Sequence, residues 1–177
     1  MVFGLGGGRA APPAAARTAS PPTLPELAGP WPPDSAERVT PHLAYSAAAH
    51  VAWVSVDADA RAMRFDGVAP GGETFIVPLG WTVEIRLRNS DAAPHSVRVV
   101  SAVDTLPLTL PAASFAGAES TNAEAGLSYS RREVFRFTAN RAGNYLIACA
   151  VPGHASAGMY LRLVVRPDVS RPSSPSR

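Results

Sequence analysis

The segment from Cys149 to Met159 reads Cys-Ala-Val-Pro-Gly-His-Ala-Ser-Ala-Gly-Met, which sets a thiol, an imidazole (His154) and a thioether at equal spacings. Thiolate and thioether are soft donors and imidazole is intermediate. Together they suit copper, which has to be held as both Cu(I) and Cu(II). Cys149 is the only cysteine, so the chain has no internal disulfide and no zinc site built from several thiolates. A second imidazole would complete a plane of two His and one Cys, with Met as a weak axial ligand. His95 is the candidate on strand parity: it alternates with Val97 and Val99, while Arg98 takes the other face. Cys149 alternates in the same way with Tyr145 and Ile147, so both side chains are expected to point inward at strand ends that meet at one end of a sandwich. His42 and His50 lie in an Ala-rich stretch with no such pattern and read as surface or packing residues. Singly, a buried Cys is most often a small hydrophobe, a Met fills core space and a loop His is solvated. Spacing, order and parity together favour the metal.

The elements that must carry these side chains have a period of two. From Trp81 to Arg88 apolar and polar residues alternate without a fault, the pattern of a half-buried strand. Further strands are expected over 62–66, 73–77, 95–100, 133–138, 144–149 and 159–166, separated by Gly, Pro, Asn and Asp. Seven short strands suggest a sandwich. Residues 101–132 read as a long excursion with little regular structure, and Ser35 to Val51 as a short helix or an irregular lead-in. Residues 1–33 are Gly-, Ala- and Pro-rich and read as a flexible low-complexity linker. The domain is then 34–166, and 167–177 forms a disordered tail.

Composition narrows the function. Of 177 residues 17% are charged and the net charge is +2, with arginines scattered singly, so the basic stripe that nucleic acid requires is missing. The chain has no run of 18 apolar residues, and Met1 to Gly8 lacks the basic and apolar regions of an export signal. The compartment has to be argued from the chemistry instead.

The Cys-x4-His-x4-Met loop resembles that of the cupredoxins, with the spacing of their rusticyanin and sulfocyanin branch. The resemblance extends to the residues from Val77 to Trp81, to Pro94-His95, to Phe115 through Ala118 with Asn122 and Gly126, and to the residues from Ala142 to Tyr145. It implies an all-β Greek-key sandwich with one type 1 copper held by His95, Cys149, His154 and Met159, and it implies electron transfer. Ser96 follows the first His, a position tied to redox tuning. A ligand set of this kind leaves no open position for substrate, so an electron carrier is expected rather than an enzyme. A copper carrier and a metal-free partner-binding domain are the alternatives. Expected partners are redox proteins such as a membrane terminal oxidase or a cytochrome. The protein is expected to be a monomer outside the cytoplasm, with any membrane tether lying beyond this chain. Trp81 reads first as a core aromatic. With Pro94, Val151 and Pro152 it is also expected to shield the copper and raise its potential. Pro94, Val151, Pro152, Gly153, Ala155, Ala157 and Gly158 are expected to form an apolar docking face around His154.

Overall fold

A computed structural model describes Met1, residues 31–59 and residues 63–175. Within them run β1 (Glu37–Arg38), β2 (Leu43–Ser46), β3 (Val51–Asp59), β4 (Arg64–Phe65), β5 (Thr74–Pro78), β6 (Thr82–Asn89), β7 (Arg98–Ser101), β8 (Arg132–Thr138), β9 (Gly143–Ala148) and β10 (Tyr160–Arg166). One sheet has the order β1-β2-β3-β6-β8, with β4 also on β3, and the other β5-β10-β9-β7. Alternate residues of both sheets fill the space between them: Val54 and Val56 of β3, Ile85 and Leu87 of β6, Ile147 of β9, and Leu161 and Leu163 of β10 are all 0–1% exposed. The molecule is a cupredoxin-like Greek-key sandwich.

Three strands were not foreseen. In β3 the inward residues are Ala52, Val54, Val56 and Ala58, while Val51 and Trp53 stand on the outer face, so apolarity does not alternate even though burial does. The Ala-rich lead-in expected between Ser35 and Val51 is the β1-β2 pair and a turn closed by His50, which takes a positive φ of 52°. Histidine is among the side chains that tolerate this region.

Both ends also differ from expectation. Most of the expected linker lies outside the described residues, but Trp31 is seated on the domain. Its indole Nε1 donates to the Pro41 carbonyl at 3.3 Å, and Arg86 lies 5.0 Å over its ring. The tail expected to lack structure lays Ser173 against Ile76 of edge strand β5, with amide-to-carbonyl bonds of 2.8 and 2.9 Å. An edge strand presents unpaired backbone groups, and the tail covers some of them.

The excursion after β7 contains no strand, yet it is not loose. Ser114 N and Ser120 N donate to the carbonyls of Val99 and Val97, and Val99 N donates to Ala118. It covers β7 as an irregular edge, which explains why residues 95–100 are buried on both faces.

Candidate metal centre

Three donor atoms converge where β9 ends and the chain approaches β7. Cys149 Sγ lies 3.4 Å from His154 Nδ1 and 3.9 Å from His95 Nδ1, and the two Nδ1 atoms are 3.2 Å apart. Hydrogen bonding alone gives no reason for two imidazole nitrogens and a thiol to share one point. A position equidistant from three such atoms lies about 2 Å from each, an ordinary length for bonds from a first-row metal to nitrogen or sulfur. The residues therefore fit a metal ion. Cys149, His95 and Met159 are each 0% exposed, and His154 is half-buried.

The loop geometry follows from its own backbone. Cys149 N donates to the Met159 carbonyl at 3.1 Å, which closes the segment on itself. Within it His154 N donates to Val151, Ala157 N to Gly153, and Met159 N to His154. The coil is tight enough to return Met159 to the core group that holds Cys149. Gly158 makes the return possible: its φ is 106°, and a Cβ there would lie 2.6 Å from Pro70 Cγ.

Two groups beside the donors went unrecognised in the sequence. Asp91 Oδ2 accepts from His95 Nε2 at 2.9 Å, which assigns the proton to Nε2 and leaves the Nδ1 lone pair facing Cys149. The bond to His95 holds the Asp91 carboxyl below its ordinary value. The sequence signal is an acid four residues ahead of a histidine. Asn89, fully buried at the end of β6, donates through Nδ2 to the carbonyls of Ala93 and Leu127 and accepts from Asp91 N, so it shapes the loop that delivers Asp91 and His95. His95 itself pairs with Leu127 through a single bridge ahead of β7, rather than opening a continuous strand.

Ser96 has a structural task. Its Oγ donates to the Ala123 carbonyl at 2.5 Å and accepts from Ala150 N at 3.1 Å, which ties the excursion to the Cys149 loop. Its amide points at Cys149 Sγ at 3.4 Å. Burial pushes the Cys149 thiol up, while amide donation from Ser96 and Val151 pulls the other way. Burial holds His154 below its ordinary value, which favours the neutral imidazole that a metal requires.

Two expectations about the surroundings are corrected. Trp81 precedes β6, whereas the donors lie beyond its far end, and eight residues of strand separate the two by about 25 Å. It packs with Tyr45 and His50 and shields nothing at the donor cluster. Ala155, expected on the docking face, is 2% exposed and packs inward with Val100, Leu110 and Ala148. Pro94, Pro152 and Ala157 are exposed as expected. Leu108, from the excursion, joins them: it is 70% exposed, and its carbonyl accepts from Gly153 N at 2.8 Å.

Residues 39–174 match the family model described as the sulfocyanin (SoxE) domain. A sulfocyanin of Sulfolobus acidocaldarius is 25% identical over 126 residues, which cover 67% of this chain and 63% of the relative. The chain thus spans less than two thirds of that protein's length. Among solved structures, an auracyanin from Roseiflexus castenholzii superposes with a TM-score of 0.50 at 22% identity, covering 65% of this chain and 97% of its own. A copper nitrite reductase from Nitrosomonas europaea superposes with a TM-score of 0.51 at 23% identity, covering 67% of this chain but 42% of the reductase. Similarities at these identities speak for the fold.

Proposed function

The chain belongs to the sulfocyanin family of cupredoxins, which bind one type 1 copper, and from that premise we propose that it passes single electrons between redox proteins. The observation that carries this reading is the triangle of His95 Nδ1, Cys149 Sγ and His154 Nδ1 at 3.2 to 3.9 Å. These three atoms would hold the copper, together with the Met159 thioether. When bound, the copper supplies a one-electron couple.

The residues around it limit what else can happen. Asp91 fixes the tautomer and tilt of His95, and the Ser96 and Val151 amides share the charge of the Cys149 thiolate. Cys149 and His95 are held by the two sheet elements they flank and by the loop's own hydrogen bonds, so the donors move little between oxidation states. With Cys149, His95 and Met159 buried, substrate has no approach, and this favours a carrier over an enzyme. The same burial works against a metal-delivery role, which needs an exchangeable site. His154, half-buried in the end loop, is the proposed exit for the electron.

Partners of this carrier are redox proteins, with a terminal oxidase or a cytochrome as the kinds the resemblance suggests. Placement outside the cytoplasm and a monomeric state belong to the same proposal. The test is to titrate the metal-free protein with Cu(II). One equivalent should develop the intense blue band of thiolate-to-copper charge transfer, and voltammetry should give a reversible one-electron wave. A colourless adduct at one equivalent would overturn the reading.

A further inference from the structure

A second histidine cluster stands at the lateral edge of the sandwich, away from the donors already described. His42 precedes β2, Asp66 follows β4 and Glu73 precedes β5, so three loops from both sheets meet there. One ligand atom from each of the three residues lies within 4.8 Å of the others. His42 Nδ1 is bonded to Glu73 Oε2 at 2.8 Å, and the other Glu73 oxygen accepts from Thr40 Oγ1 at 3.3 Å. Glu73 is thereby satisfied, and it directs His42 Nε2 toward Asp66.

Asp66 is the anomalous member. Its side chain is 3% exposed, and its Oδ1 accepts from Asp57 N at 2.8 Å, but its Oδ2 has no hydrogen-bond partner. The nearest cationic group is His42 Nε2, 3.8 Å from Oδ1, which is too far for a hydrogen bond. Asp57, close enough to act on Asp66, adds negative charge, and its Oδ1 is also buried without a partner. Burial pushes the Asp66 carboxyl up to about 6, more than His42 and the Asp57 amide offset. A buried carboxylate oxygen without a donor is costly, and a bound cation is one of the few things that offset it.

We propose that His42 and Asp66 hold a divalent cation of the borderline class, such as Zn²⁺, with Glu73 as the outer carboxylate that orients His42. The arrangement is that of a carboxylate–histidine–metal relay, in which the carboxylate fixes the tautomer and leaves the far nitrogen for the metal. Imidazole and carboxylate without a thiol select against the soft Cu(I), so with copper reduced and limited to one equivalent the second cluster is left for a borderline ion. The side chain of His42 is 30% exposed, which admits the cation from solvent and leaves room for water to complete its shell. The cation would tie the loop before β2 to the loop after β4, and the His42–Glu73 bond carries that tie to β5 of the other sheet.

The measurement is calorimetric titration of Zn²⁺ into the copper-loaded full chain at pH 7, alongside His42→Gln, Asp66→Asn and Glu73→Gln. Wild type should take up one Zn²⁺ per chain. His42→Gln and Asp66→Asn should lose that equivalent, and Glu73→Gln should weaken it by about 10- to 100-fold, as removal of an outer partner does. An unchanged blue band in each variant shows that the fold and the first site are intact. Failure of wild type to bind Zn²⁺ at millimolar concentration overturns the proposal and leaves His42 as a protonated bridge between two acids. Equal Zn²⁺ affinity in His42→Gln overturns it as well.

Discussion

The loop from Cys149 to Met159 has an inner and an outer face, and the two differ by steps of one or two residues. Cys149, Ala155 and Met159 are 0–2% exposed, whereas Pro152, Ser156 and Ala157 face solvent beside Leu108. The inner face is tied down by the Ser96 amide and hydroxyl and by the loop's own carbonyls. The outer face is small, uncharged and makes few bonds. Holding a metal calls for rigid donors out of water, while a transient contact calls for a flat surface that releases quickly. Under the proposed function, packing both into eleven residues would put the electron's entry and exit within one loop and make the two tasks separable by substitution.

The largest effect is expected from the inner face. Cys149→Ser should abolish the blue band and the reversible wave, because the thiolate supplies the strongest bond to the metal. The metal-free fold should survive, because the aliphatic core of both sheets is complete without the sulfur. Far-UV circular dichroism and absorption at one equivalent of copper measure the two halves of this outcome. A serine variant that stays intensely blue would remove Cys149 from the ligand set.

That division of faces marks where sequence reading succeeded and where it stopped. The donors were legible because Cys149 and His95 stand next to strands, where a period of two fixes which way a side chain points. His154 and Met159 were legible by type and spacing alone. Between them the chain coils, parity has no meaning, and Ala155 and Ala157 look alike although one is buried and the other exposed. Asp91 and Asn89 were missed because their role depends on a loop whose path is set by hydrogen bonds to Ala93 and Leu127, the latter 38 residues away. Strand β3 was missed because Val51 and Trp53 place apolar groups on its outer face. Of the two roles read for Trp81, the core aromatic holds, since it packs with Tyr45 and His50, and the shielding role does not, since strand β6 runs away from it toward the donors.

Ala155→Glu sharpens the comparison with the next-largest effect. The new carboxylate would enter the packed group of Val100, Leu110, Leu146 and Ala148, where the neighbouring Arg98 is already engaged by Glu119 and the Leu110 carbonyl. An unpaired charge buried in this way costs on the order of 3 kcal/mol or more. The midpoint of urea unfolding should fall markedly in the metal-free protein. An unchanged midpoint would mean that the loop turns this position outward in solution.

Two substitutions beside the donors should move the potential while leaving copper in place. Asp91→Asn keeps a hydrogen-bond acceptor for His95 Nε2 but removes a negative charge that favours Cu(II), so the potential should rise. The difference between a charged and a neutral hydrogen bond is about 1 kcal/mol, so the rise should be on the order of tens of millivolts for a one-electron couple. Met159→Gln should act oppositely, because an oxygen donor on the axial side stabilises Cu(II), and the potential should fall while the blue colour persists. Voltammetry of both variants decides the signs, and loss of all copper affinity in Met159→Gln would contradict an axial role.

The smallest effect belongs to the outer face. Ala157 is exposed, its amide donates to the Gly153 carbonyl, and Gly153 in turn donates to the Leu108 carbonyl, so Ala157 and Leu108 flank His154 on one continuous surface. A carrier that must release quickly makes a contact at the low end of interface sizes, below about 1,200 Å². A contact that small has little binding free energy to offset stripping water from a new carboxylate. Ala157→Glu should therefore slow electron self-exchange or partner reduction several-fold, with colour and potential nearly unchanged because the side chain points away from the donors. Stopped-flow rates read beside a voltammogram separate the two quantities. If the rate matches wild type while the potential also holds, electrons leave by another face, and His154 is not their exit.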